Sequence, residues 1–239
     1  MRAPVDHIAA PLFPARIEWI NGRPDGYPML VEFWDFCRPQ SMRTLPYVKA
    51  WHERYADLRV IGVHDAGFPP SQDREAVRGA VERLAIPYPV AIDADYEVWN
   101  LYGNLGWPAR YLFDGRGMLL HYHYGEGGYE ETELAIQELL EVQQPTLPPL
   151  RAEDAPGALL NAQTDDVEGP YSGPYEAGAV WAVLAGNGTV RANGRELIVD
   201  HPGCYQLIAH ERSTAGELEL VVGEGVTCHA VCFTPGVAA

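Results

Sequence analysis

The sequence predicts an α/β domain followed by an all-β, jelly-roll-like sandwich, and three observations carry that division. Up to about residue 142, continuous apolar runs alternate with helical patterns, as in a sheet fed by crossover helices. Residues 143–156 include QQPTLPPL, a proline-rich stretch that reads as a semi-rigid linker. Beyond it, short β-rich runs are punctuated by Asn187-Gly188, Asn193-Gly194 and Gly223-Glu224-Gly225, turn signals at the spacing of a sandwich. The predicted domains are 1–142, including an N-terminal extension, and 157–239. A chain of 239 residues is long enough for each to bury its own core.

Residues 1–28 read as an extended lead-in with turns at Asn21-Gly22 and Pro24-Asp25-Gly26. Met29–Trp34 is a strand, and a helix follows over 39–55. Pro39 suits its first turn, whereas Pro46 removes a backbone donor and predicts a kink. Residues 58–65 form a continuous apolar run of the kind found in a central parallel strand. A second helix over 73–84 aligns Val77, Val81 and Leu84 on one face. Residues 88–92 are a short strand, and Asp95 is placed to cap a helix ending at Tyr102. Residues 111–113 and 118–124 form a hairpin across Asp114-Gly115-Arg116-Gly117. The last helix begins near Glu130. Glu130, Glu131 and Glu133 favour its dipole, and Leu134, Ile136, Leu139 and Leu140 form its apolar face.

Within residues 31–47, VEFWDFCRPQSMRTLPY, a strand runs through a short turn into a helix N-terminus, where the dipole stabilises an anion such as a thiolate. Phe33-Trp34, Arg43-Thr44-Leu45-Pro46 and Trp107-Pro108 recur with Gly125-Glu126-Gly127, Tyr129 and Glu131-Thr132-Glu133. Together they resemble the DipZ- and TlpA-like thioredoxin-fold (redoxin) family over residues 28–140. The later β-rich segment is similar to the carbohydrate-binding-module-like sandwich of DipZ-like proteins. The resemblance implies thiol-disulfide oxidoreductase chemistry, a cysteine pair at positions 38 and 41, and a cis proline at position 108 beside it. Those two cysteine positions hold Arg38 and Ser41.

The four cysteines are Cys37, Cys204, Cys228 and Cys232, and no pair has Cys-x-x-Cys spacing. Dithiol exchange, which needs two thiols within reach, is therefore excluded at this site. Cys37 is the candidate catalytic residue, a single thiol beside Arg38 and a helix start. Its alternative is a small buried side chain at a strand end. Phe36, Arg38, Gln40, Ser41, Trp107 and Pro108 are the candidate ligand-binding residues, with the helix amides and Arg38 suited to an anion. Alternatively, Arg38 pairs with Asp35 and Ser41 serves as a cap. Trp34, Trp99 and Tyr102 supply an aromatic rim or ordinary core. His121 and His123 share a strand face and would need His64 or Asp65 as a third ligand, so no metal and no cofactor are expected. Cys228 and Cys232 also share a face, about 13 Å apart in extended chain, too far for a disulfide.

A net charge of −16 opposes a phosphate-tracking surface, so no nucleic-acid partner is expected. The first twenty residues carry Asp6, His7 and prolines without an uninterrupted apolar core and do not read as a signal peptide. No apolar run approaches the roughly 20 residues of a membrane helix, so the expectation is a cytoplasmic protein without a membrane partner. The expected function is binding or scaffolding, with a small molecule, thiol or peptide at the former redox site. Single-cysteine oxidoreductase chemistry at Cys37 and sugar binding by the sandwich, through Tyr171, Tyr175, Trp181 or Tyr205, are the alternatives.

Overall fold

The computed structural model describes Met1 and residues 8–238. The N-terminal reading at Asp6 and His7 lies outside the described residues. The chain divides into two compact units, one of Met1–Asp35, Gln40–Ala66 and Val77–Pro148, the other of Phe36–Pro39, Gly67–Ala76 and Pro149–Ala239.

The first unit is built on a six-stranded sheet. Its strands are β1 (Glu18–Ile20), β2 (Met29–Trp34), β3 (Arg59–His64), β4 (Val90–Ile92), β5 (Ala109–Phe113) and β6 (Leu119–Tyr124), in the spatial order β1-β4-β3-β2-β5-β6. The helices are α1 (Pro39–Arg54), α2 (Arg74–Arg83), α3 (Glu97–Tyr102) and α4 (Tyr129–Leu140). β2, β3 and β4 are parallel, which requires the crossovers that α1 and α2 provide. Every residue of β2 is buried, and β3 is buried apart from Arg59, as the continuous apolar runs predict for central parallel strands. β5 and β6 form the expected antiparallel hairpin. Its turn is closed by the Asp114 carboxylate, which accepts the amides of Arg116 and Met118. Pro46 lies inside α1, which continues through it.

Three local expectations are corrected. The lead-in contributes strand β1, which pairs antiparallel with β4 at the sheet edge. The N-cap position of α3 is Tyr96, and the carboxylate that accepts a first-turn amide is Asp93 rather than Asp95, its Oδ2 2.8 Å from the Trp99 amide. In α4, Leu134 is 52% exposed, and the buried face is Tyr129, Thr132, Glu133, Ile136 and Gln137. Glu133 tolerates burial because it accepts from the Tyr55 hydroxyl and the Leu147 amide, each at 2.8 Å, with Arg54 3.2 Å away. Helical periodicity counts apolar residues and is blind to such pairing.

The second unit is strand-rich. Its strands are β7 (Leu160–Asn161), β8 (Val167–Glu168), β9 (Gly173–Gly186), β10 (Gly188–Ala192), β11 (Arg195–Val199), β12 (Gly203–Leu218), β13 (Leu220–Val222), β14 (Val226–Thr234) and β15 (Gly236–Val237). They form sheets ordered β12-β9-β14-β8, β11-β10-β13 and β15-β7. The Asn193-Gly194 turn behaves as predicted: both residues have positive φ, and Ala192 pairs with Arg195 across a two-residue hairpin. The core includes Val180, Ala182, Leu184, Val190, Val231 and Phe233. A register shift between Cys228 and Ala230 alters the alternation along β14. The core cluster therefore takes Cys228, Val231 and Phe233 but not Cys232, and the two cysteines do not share a face.

Candidate functional site

The end of β2 carries the frame identified in the sequence. Trp34 closes the strand, Asp35 follows it, and α1 begins at Pro39. Ser41 is fully buried, and its hydroxyl oxygen accepts the Asp35 amide at 3.2 Å, tying the strand end to the first turn of the helix. The Trp107–Pro108 peptide is cis, as the resemblance implied. Trp107 is half-buried and its ring lies 4.4 Å from that of Trp99.

Of the candidate binding residues, Gln40, Ser41, Trp107 and Pro108 belong to the first unit, whereas Phe36 and Arg38 group with the second. Gln40 is half-buried and Pro108 buried. The Arg38 guanidinium lies 5.0 Å over the Phe68 ring, and Asp35 faces His64 at 3.7 Å. Cys37, the candidate nucleophile, is 0% exposed and is not part of a disulfide. Trp34 and Phe36 are buried rather than forming a rim.

The motif residues that carried the resemblance meet between α1 and the segment leading into α4. Arg43 Nε donates to Glu126 Oε1 at 2.5 Å, and the Thr44 and Tyr129 hydroxyls lie 3.0 Å apart. Tyr47 stacks on Tyr129 with ring centroids 3.8 Å apart. These contacts fix the direction in which α1 leaves the strand end.

Two buried ionic groups escaped the sequence reading. Asp35, Asp65 and Asp93 each directly follow one of the parallel strands β2, β3 and β4, and all three are buried. Burial, reinforced by Asp93 and Asp35, pushes Asp65 well above the usual carboxylate range. Neither Asp65 oxygen receives a conventional donor, as expected of a carboxyl that keeps its proton beside Asp93. The signal was present in the runs FWD, VHD and AID, each an apolar strand ending in aspartate.

The second group is Glu32 and Arg110, directly opposite each other on β2 and β5. Burial pushes the Glu32 carboxyl up to about 8 against the pull of Arg110. Arg110 donates to the Gly127 carbonyl and lies over the rings of Trp51 and Tyr129, at 5.7 and 5.0 Å. The Tyr88 hydroxyl is 3.5 Å from Glu32 Oε2, a long contact. A polar residue within the otherwise apolar run MLVEFW was the available signal for Glu32.

His121 and His123 lie on β6 as expected, but β2 and β5 stand between β6 and β3, so His64 and Asp65 cannot complete their ligand set. Among the described residues, no group of three His, Cys, Asp or Glu side chains is arranged for a metal ion. His123 lies 3.3 Å from the Glu126 carbonyl oxygen, and burial, aided by Arg110, lowers it to about 4.

Comparison with known proteins follows the same frame. The chain is 36% identical over 122 residues to Protein DipZ of Mycobacterium bovis (strain ATCC BAA-935 / AF2122/97), a match covering 50% of this chain and 18% of DipZ. It is 26% identical over 129 residues to thiol-disulfide oxidoreductase YkuV of Bacillus subtilis (strain 168), covering 51% of this chain and 87% of YkuV. A crystal structure of a thioredoxin-like superfamily protein superposes with a TM-score of 0.51 at 20% identity, over 58% of this chain and 100% of that one. No family model matches the chain. The first unit has a thioredoxin-like fold and is similar over that unit to DipZ and to a thiol-disulfide oxidoreductase, which supports a redoxin-like reading; the chain spans under a fifth of the length of DipZ.

The relatives also overturn the expected cytoplasmic location. Proteins of the DipZ kind are typically membrane-anchored or extracytoplasmic, which conflicts with that expectation. Among the described residues, no helix is long and apolar enough to cross a membrane, but that property of a segment does not assign a compartment.

Proposed function

We propose that this protein uses its thioredoxin-fold unit for binding or scaffolding without dithiol exchange, with a small molecule, thiol or peptide as the partner. The observation that carries this reading is the complete burial of Cys37, the nearest thiol to positions that hold Arg38 and Ser41. A thiolate nucleophile has to meet its disulfide in line and in the open, and a fully buried thiol does neither. Ser41 has meanwhile been drawn into the structure through the Asp35 amide, so a hydroxyl does structural work where the resemblance implies a sulfur.

Neither alternative has an observation in its favour. Burial of Cys37 opposes single-cysteine turnover. In the strand-rich unit the large apolar side chains exposed among the described residues are Leu150, Leu159, Leu160, Ile198 and Val221, while Tyr171, Trp181 and Tyr205 are half-buried and Tyr175 is buried, so no fully exposed aromatic ring is offered to a sugar.

The test is insulin reduction by dithiothreitol, followed as turbidity, together with iodoacetamide labelling and mass spectrometry. The native chain is expected to leave the background rate unchanged and Cys37 unlabelled, while the double variant Arg38→Cys/Ser41→Cys gains activity. Acceleration by the native chain that disappears in Cys37→Ser would replace this reading with the single-cysteine one.

A further inference from the structure

We propose that the first unit carries a proton switch: one proton shared between Asp65 and Asp93 keeps the start of α3 closed on the strand ends, and its loss to solvent as pH rises frees that segment together with the Trp99–Trp107 contact. The register of the parallel strands supplies the geometry. Trp34, His64 and Ile92 lie abreast on β2, β3 and β4, so the next residues, Asp35, Asp65 and Asp93, form a row of three carboxyls with Asp65 in the middle. Two backbone bonds carry the ladder onto this row: the Asp65 amide donates to the Trp34 carbonyl at 3.3 Å, and the Asp93 amide to the His64 carbonyl at 3.0 Å. Neighbouring strands are about 4.8 Å apart, and like charges at that spacing repel.

The middle carboxyl is sealed. Asp65 is 0% exposed, and among the described residues neither of its oxygens receives an N–H or O–H. Burial, then the hydrogen bond and charge of Asp93 and the charge of Asp35, hold it well above the ordinary carboxylate range, so it keeps its proton and donates it to Asp93. The other polar groups facing the row are His64, with Nε2 3.7 Å from Asp35 Oδ1, and the Tyr96 phenol, which donates to the Ala66 carbonyl beside Asp65. Asp93 Oδ2 in turn accepts the Trp99 amide at 2.8 Å, and the Trp99 ring lies 4.4 Å from that of Trp107. When Asp65 ionises, its proton passes to solvent, Asp93 loses that donor, and like charges stand side by side away from water. Asp93 is the member of the row with room to move. Its segment reaches the surface at exposed Asp95, whereas Asp35 and Asp65 lead into buried Phe36 and Ala66. Moving Asp93 releases the Trp99 amide. The closed form is therefore the low-pH form, and it is lost as pH rises through the raised Asp65 value. Trp107 is one of the candidate binding residues, so the proton on Asp65 sets the shape of that rim.

NMR of the full chain carrying nitrogen-15-labelled tryptophan reads the switch between pH 5 and pH 9. The readouts are the exchange protection of the Trp99 amide, corrected for the intrinsic pH dependence of exchange, and the indole signals of Trp99 and Trp107. Trp99→Phe and Trp107→Phe assign those signals. Protection is expected to hold at the acidic end and then fall roughly tenfold, the equivalent of one hydrogen bond to a charged acceptor, in a single transition that moves both indole signals. Asp65→Asn, whose amide still donates to Asp93 but cannot ionise, should stay closed throughout. Asp93→Asn, which still offers an oxygen to the Trp99 amide, should move the transition to lower pH or remove it, and it keeps the test valid should the Asp65 variant not fold. Glu32→Gln removes the other buried carboxyl of raised pKa and should leave the transition in place. Constant protection across the range, a transition that survives Asp65→Asn or is unmoved by Asp93→Asn, or one that disappears in Glu32→Gln would overturn the proposal. No ligand enters these measurements, so the switch stands or falls separately from the binding role.

Discussion

The two units bury different chemistry. The first encloses Glu32, Asp35, His64, Asp65, Asp93, Arg110 and Glu133, whereas from residue 149 onward, among the described residues, the buried polar side chains are Thr234 and the Asp154 carboxylate, which is paired with Arg151. Burying a charge costs several kcal/mol unless it is paired, neutralised or hydrogen-bonded, so a fold keeps such groups where they set geometry or chemistry. The strand-rich unit depends on apolar packing about β9 and β14. The first unit places its ionic groups at the ends of parallel strands and opposite one another on β2 and β5. The difference is that the first unit, which has Arg38 and Ser41 after its central strand, is not an inert apolar fold: it keeps a buried polar framework at the strand ends.

The contrast predicts different responses to substitution and to pH. The largest effect is expected from Phe233→Ala in the strand-rich unit, where removing a fully buried ring should cost about 3–5 kcal/mol. Because that core holds no ionised group, urea unfolding of the variant should show the same loss at pH 5 and pH 8. A strongly pH-dependent loss would break the distinction between the units.

An intermediate effect is expected at Glu32. The folded state holds its proton up to about pH 8, while an unfolded chain releases it near the ordinary glutamate value of about 4.3. Its contribution is therefore fully present at low pH, falls by about 1.4 kcal/mol per pH unit between those values, and levels off above pH 8. Glu32→Gln should remove one proton's share of that slope, with Asp65 still contributing its own. Unfolding curves collected from pH 4 to pH 9 would read this directly, and an unchanged slope would show that Glu32 is ionised in the fold.

The smallest effect is expected at Ser41. Ser41→Ala leaves the Asp35 amide without its acceptor and should cost about 1 kcal/mol, seen as a lowered Tm. A neutral result would mean that this hydroxyl does not hold the strand end to α1.

Much of this architecture was legible. MLVEFW and RVIGVH read as central strands because both of their faces are apolar, and they are buried on both faces. Asn193-Gly194 read as a tight hairpin because those residues adopt positive φ most easily. The face of α4 was misread because Glu133 is buried by its partners and Leu134 is left about half exposed, while Ile136 is buried as expected. Cys232 was assigned to the wrong face because a bulge has no signature in alternation. The acidic strand ends were visible one at a time, as aspartates closing apolar runs, without any sign that they were neighbours.

The sequence by itself therefore determined most of the elements, the thioredoxin-like order, and the presence of Arg38 and Ser41, without a Cys-x-x-Cys pair, after the central strand. Only the tertiary structure decided that Asp35, Asp65 and Asp93 gather, that Glu32 opposes Arg110, and that Cys37 is sealed from solvent. The reason is physical. Periodicity along a segment records which side of that segment avoids water, while neighbours across a sheet are chosen by crossover connections and register, which join residues dozens of positions apart.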